Sequence, residues 1–323
     1  MSPNYQPIKP ARLEPGQTIG LVTPASPPND PEALRFAMDV VESLGYRVKA
    51  APHLFNRAGY LAGEDSVRAA DLNALFADDE VDAIFCARGG YGASRLLPML
   101  NYDVMRANPK ILLGYSDITA LLLAIYTQAG LVTFHGPIAS QTFTAYIVEE
   151  FKKVLVDPQA PIGIGAPPPF EKAEGRVEKI NRISTLVPGK VQGRLFGGNL
   201  SLVSHLIGTP YFPDMTGGIL FLEDISEAVY SIDRMLTQLW LSGNLQKLSG
   251  LVFGKFTEHR QSEWVQNRLQ EEVLLERVRQ LNIPAISGLM IGHVENQTIV
   301  PVGCVAELNA DAGTLTLLEA PVR

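Results

Sequence analysis

Between residues 18 and 156 the chain alternates short apolar runs with helical patterns, and few folds accommodate that rhythm. Runs at 18–25, 47–51, 81–87, 110–115 and 131–134 have the length and composition of strands. Helical spacing separates them at 31–44, 66–77, 92–100 and 118–129, and a last helix is expected at 147–156. In the first helix Ala33, Leu34, Ala37, Val40 and Val41 fall on one face. Strands that alternate with helices pair in parallel, because each crossover carries the chain back to the same end of the sheet. An α/β domain follows, its parallel sheet covered on both faces.

The pattern changes at 157–170, where five prolines mark a linker or an extended crossing segment. Beyond it, strands are expected at 190–196, 217–223, 248–256, 285–291 and 300–308, and helices at 226–241 and 262–281. A hairpin joins 306–308 to 314–318 across the turn 309–313. A length of 323 residues suits two domains, and a chain that is 46% hydrophobic has ample material for a core.

The net charge of −7 argues against nucleic acid as a partner. The start of the chain carries Lys9, Arg12 and Glu14 and no apolar h-region, so it does not read as a secretory signal. The stretch 118–132, interrupted by Thr119, Thr127, Gln128 and Gly130, is too short and too polar to span a bilayer. A soluble cytoplasmic protein is expected, with no membrane partner. Cys86 and Cys304 sit in apolar runs and read as core residues. No Cys/His spacing suits zinc, and no metal or cofactor is expected.

The chemistry concentrates where strands give way to helices. Gly114-Tyr115-Ser116-Asp117 is a tight turn between a buried strand and an apolar helix. A serine there is lifted out of the sheet at a helix start, as in a nucleophile elbow, although Ile118 stands where the usual motif has glycine. The plainer alternative is an N-cap serine. Arg88-Gly89-Gly90-Tyr91-Gly92 also follows a strand and opens a helix. Arg95 occupies the third glycine position of a dinucleotide fingerprint, so the loop suits an anion or an oxyanion better. A serine nucleophile needs a base and an orienting acid. His53, His135, His205, His259 and His293 are available. His205 is expected to be packed in a helix and His259 solvated, while His293 follows Gly292 at a strand end, where a base is well placed. Glu223 closes an apolar strand. Either it has a partner, or it or Asp224 caps the helix near Ser226.

Four segments together resemble the LD-carboxypeptidase family of serine peptidases, which includes microcin-immunity hydrolases. They are residues 20–26 (Gly-Leu-Val-Thr-Pro-Ala-Ser), 88–92 and 114–117, and residues 221–227 with Tyr230, Ile232, Asp233, Arg234, Gly292 and His293. Residues 196–200 and 208–210 look like the same family, and the resemblance covers nearly the whole chain. It implies a flavodoxin-like N-terminal domain (1–158) carrying the nucleophile, a Pro-rich crossing segment (159–189), and a smaller swivelling β/β/α C-terminal domain (190–323) carrying acid and base. It further implies Ser116 as nucleophile, His293 as base and Glu223 as its orienter, and a cytoplasmic homodimer. The implied substrate is a murein tetrapeptide fragment that loses its terminal D-alanine; peptidyl- or aminoacyl-nucleotides are the alternative within the family, and a ligand-binding module is the weaker one. For the oxyanion, backbone donors are expected from the loop 89–91, chiefly Gly90 and Tyr91, and from Asp117. A carboxypeptidase must hold a terminal carboxylate, and Arg88 is the candidate for it, with Arg194 behind it.

Overall fold

The computed structural model describes residues 7–171, 173–258 and 268–323. In chain order the first half runs β1 (Thr18–Val22), α1 (Glu32–Ser43), β2 (Arg47–Ala50), α2 (Asp65–Ala77), β3 (Ala83–Cys86), α3 (Tyr102–Ala107), β4 (Ile111–Gly114), α4 (Thr119–Ala129), β5 (Thr133–His135) and α5 (Ala145–Phe151). The second half runs β6 (Ile162–Ile164), β7 (Ser184–Val187), β8 (Lys190–Asn199), α6 (Leu200–His205), β9 (Ile219–Ile225), α7 (Val229–Leu241), β10 (Gly250–Thr257), α8 (Gln270–Leu281), β11 (Ala285–Ser287), β12 (Val300–Val302), β13 (Val305–Asn309) and β14 (Thr314–Leu317).

In the first sheet β2, β1, β3, β4 and β5 lie side by side in parallel. This is the flavodoxin-like order, with its switch point between β1 and β3, so ligands are expected at the carboxyl ends of these strands. Every residue of β1, β3, β4 and β5 is buried, which accounts for their unbroken apolar character. The second sheet is mixed, in the order β6-β14-β13-β8-β9-β10-β11-β7, with β8 to β11 parallel. Among the described residues no helix is long and apolar enough to cross a membrane.

Several expectations change. Residues 300–308 are two strands, not one: β12 pairs antiparallel with β5 in the first sheet, while β13 pairs with β8 and β14 in the second. The chain turns between them at Gly303. The segment 159–189 is no free tether, because β6 pairs with β14 at its start and β7 with β11 at its end. Residues 92–100 form a 3-10 helix at Ala93–Met99, with Pro98 inside it, instead of an α-helix. The expected helix at 262–281 begins outside the described residues, and its described part is α8.

Candidate active site

The turn between β4 and α4 is built to project a side chain. Tyr115 is extended, then Ser116 takes φ 62° before a short 3-10 turn feeds α4. A positive φ costs a non-glycine residue roughly 1–3 kcal/mol and persists only where its surroundings enforce it. Here they do, because β4 before the turn and α4 after it are buried almost throughout. The Gly-rich loop after β3 lies directly alongside. A Cβ placed on Gly89 would sit 3.0 Å from Ser116 Cβ and 3.4 Å from its Oγ, so a side chain there would crowd the serine.

Glu223 and His293 reach the same place from the second half. β8 ends against the start of α4, where the Asn199 N–H donates to Thr119 Oγ1 at 3.0 Å. Asn199 is in register with Glu223 on β9. The fully buried Glu223 accepts from His293 Nδ1 at 2.7 Å, which leaves Nε2 as the ring's acceptor. Gly292, at φ 111°, makes room for this pair: a Cβ there would lie 2.6 Å from Glu223 Oε2. The His293 ring packs on Tyr115, centroids 4.7 Å apart, so the imidazole stands over the residue that precedes Ser116. Burial, with Glu223's charge adding to it, pushes the Tyr115 phenol up to about 12, and it stays protonated. The neighbouring Asp224 does not cap the helix after Ser226. It accepts from Asn199 Nδ2 at 2.8 Å and from the N–H and Oγ of Ser201, and so binds the end of β8 to the start of α6.

The description "LD-carboxypeptidase N-terminal domain" matches residues 19–136, and "LD-carboxypeptidase C-terminal domain" matches residues 192–308. The chain belongs to the LD-carboxypeptidase family. It is 40% identical, over 97% of its own length and 95% of the relative's, to the "Probable murein peptide carboxypeptidase" of Bacillus subtilis. Its fold superposes on the muramoyltetrapeptide carboxypeptidase of Oxalobacter formigenes with a TM-score of 0.79, at 31% identity and coverage of 93% and 98% of the two chains. It superposes on MccF in complex with glutamyl sulfamoyl guanosine with a TM-score of 0.88, at 26% identity over 98% and 100%.

The other residues singled out from the sequence fall variously. The Tyr91 N–H is committed to Ser26 Oγ at 3.1 Å, so it is not a spare oxyanion donor. Among the described residues no backbone bond uses the N–H of Gly90, and Asp117 stands in the first turn of the 3-10 element, where N–H groups have no partner within the helix. Arg88 is half-buried beside the Gly-rich loop and donates one N–H to Pro27 O at 2.9 Å. Arg194 lies midway along β8, five residues before Asn199, where it donates to Gly303 O at 2.8 Å. His205 is exposed, not packed, because it sits on the outer face of the short α6. His53 pairs with Asp71 at 2.8 Å beyond β2. His259 lies outside the described residues. His135, wholly buried, is pushed down to about 3 by burial, helped by His293's charge; it stays neutral and is no base. Sequence reasoning missed Tyr115, Thr119 and Arg68 as parts of the site. Asn199, at the end of a Gly-Gly strand, carried the one available signal, since such a strand allows another element to approach closely.

Proposed function

We propose that this chain is a murein peptide carboxypeptidase that removes the terminal D-alanine from a murein tetrapeptide through a Ser116 acyl-enzyme. The observation that carries the reading is the 2.7 Å Glu223–His293 bond, with the ring packed over the residue before a strained serine. The names of the murein peptide carboxypeptidase relatives support the substrate. Ser116 Oγ attacks the carbonyl carbon joining the L-centre to D-alanine, and its proton passes to His293 Nε2. Glu223 holds the ring and stabilises the imidazolium. The N–H groups of Gly90 and Asp117 take the oxyanion. His293 returns the proton to the departing amine, and D-alanine leaves. Water, deprotonated by the same Nε2, then attacks the acyl carbon and frees Ser116. Arg88 receives the terminal carboxylate.

Mass spectrometry of products from murein tetrapeptide, its C-terminal amide and an aminoacyl-adenylate analogue tests this. Loss of D-alanine from the free acid, and much slower release from the amide, is expected. Cleavage of the analogue alone would favour the nucleotide reading that the MccF likeness supports. Ser116→Ala should cost three or more orders of magnitude; activity within about tenfold of wild type would overturn the assignment. The reading carries with it a cytoplasmic homodimer, checked by fractionation and by sedimentation.

A further inference from the structure

Ser26 holds the middle of the Gly-rich loop that faces Ser116, through Gly89 O and the Tyr91 N–H, and the loop's end is gripped on both sides of one peptide unit. The carbonyl of Gly92 accepts from Arg68 Nη1 at 3.0 Å. The N–H of the same unit, on Ala93, donates to Asp117 Oδ2 at 2.7 Å. Both side chains are buried almost completely, Arg68 to 2% exposure and Asp117 to 2%. Arg68 does more than hold Gly92. Its Nε donates to Gly63 O at 3.1 Å, Nη1 also reaches Pro24 O, and Nη2 pairs with Asp65. One guanidinium thus ties together the loops that leave β1, β2 and β3. Asp65 in turn accepts from Arg95 Nε at 2.9 Å, which fixes the 3-10 helix that continues the Gly-rich loop.

We propose that Arg68 and Asp117 are positioning residues that lock the Gly92–Ala93 peptide plane and thereby preset the oxyanion donors beside Ser116. A buried charge costs desolvation that an apolar side chain would avoid, so stability alone gives little reason for either group. Geometry gives a reason. A peptide plane held at both its oxygen and its hydrogen cannot rotate, and with Ser26 holding Gly89 O and the Tyr91 N–H it fixes the second end of a segment, 89–91, whose two glycines would otherwise let it move. Asp117 also follows Ser116 directly, so one carboxylate couples the nucleophile's turn to the loop opposite. A lysine at 68 has no planar fork and cannot span the three carbonyls at once.

The inference rests on the Ser116 reading, and one experiment separates the two. A serine-directed phosphonate traps the nucleophile through a tetrahedral adduct that needs the oxyanion donors but no peptide specificity. Labelling in wild type that persists in Ser116→Ala would defeat the nucleophile, and the clamp with it. Labelling lost in Ser116→Ala leaves the clamp to be judged on Arg68→Lys, Asp117→Asn, Asp117→Ala and the pair Arg68→Lys/Asp117→Ala. Below their melting temperatures, Arg68→Lys and Asp117→Ala should each label about 10–100-fold more slowly, the order of effect expected for misplaced oxyanion donors. Their kcat should fall alike and KM change little. Asp117→Asn, which keeps an oxygen for Ala93, should recover part of the rate. The double variant should lose less than the product of the single losses, because both release the same peptide. A purely structural role would lower the melting temperature and leave labelling and kcat untouched. That result in the folded variants, or losses that simply multiply, would overturn the clamp.

Discussion

At the scale of single residues, strain and charge are spent close to Ser116. Gly292 is the sharpest case, since its conformation and the carboxylate beside it both forbid a side chain. Gly292→Ala is expected to push Glu223 off His293 and to lower kcat/KM by about 100-fold or more, as misplacing a catalytic group does. Near-wild-type kinetics would mean that the pair tolerates displacement. Asp117 makes a different prediction, about stability. Burial raises its carboxyl to about 6 from the ordinary 3.8, although the Ala93 N–H and Arg68 pull the other way. A folded-state value above the unfolded one means that the native state holds the proton more tightly. This group therefore favours folding fully below about pH 4, and that contribution is lost as pH rises through about 6. Asp117→Asn should match wild type in melting temperature near pH 4 and exceed it at pH 7, while turning over more slowly. An equal difference at both pH values would remove Asp117 from the balance. Ser116, Glu223 and His293 were legible because each follows an apolar run, although β9 continues two residues past Glu223, and the resemblance joined them. Arg68 was not, because apart from Asp65 one turn away its partners are backbone carbonyls, and a carbonyl has no sequence signature. On α2 it reads like any helix charge that faces water.

Among the elements, those buried on both sides were the legible ones. β1, β3 and β4 announce themselves as short apolar runs, and the helices between them by their stripes. The boundary between β12 and β13 was hidden because Val300, Val302, Val305 and Ala306 belong to one apolar stretch, and nothing local says that its two pieces enter different sheets. That division matters to the site. His293 hangs on a loop anchored by β12, in which Val300 is fully buried opposite His135. Val300→Asp would place an unpaired charge in the first sheet and should cost more than about 3 kcal/mol in urea titration. The loss of activity should begin at lower urea than in wild type. Val300→Ile should stay within about 1.5 kcal/mol. If Val300→Asp unfolded at the wild-type midpoint, β12 would not be anchoring that loop in solution.

On the scale of the whole molecule, the candidate site exists only where the two halves meet, and the chain crosses that boundary more than once. β12 returns from the second half to the edge of the first sheet, α4 packs against β8 and α6, and Thr119 accepts from Asn199. A hydrophobic core runs continuously through both halves, from Leu13 to Val322. Such stitching predicts joint unfolding. Both tryptophans, Trp240 and Trp264, belong to the second half of the sequence, so selectively excited tryptophan fluorescence reports on that half. Hydrogen exchange at β4 and α4 reports on the first. In a urea titration the fluorescence transition and the loss of protection in β4 and α4 should share one midpoint, as expected for a single cooperative unit. The fragment 1–158, which lacks β12 and the cover that β8 gives α4, should not acquire that protection alone. Protection in β4 and α4 that outlasts the fluorescence transition would show that the first half folds independently. The halves would then be joined only by their chain, and the Glu223–His293 pair would reach Ser116 by docking instead of by common folding.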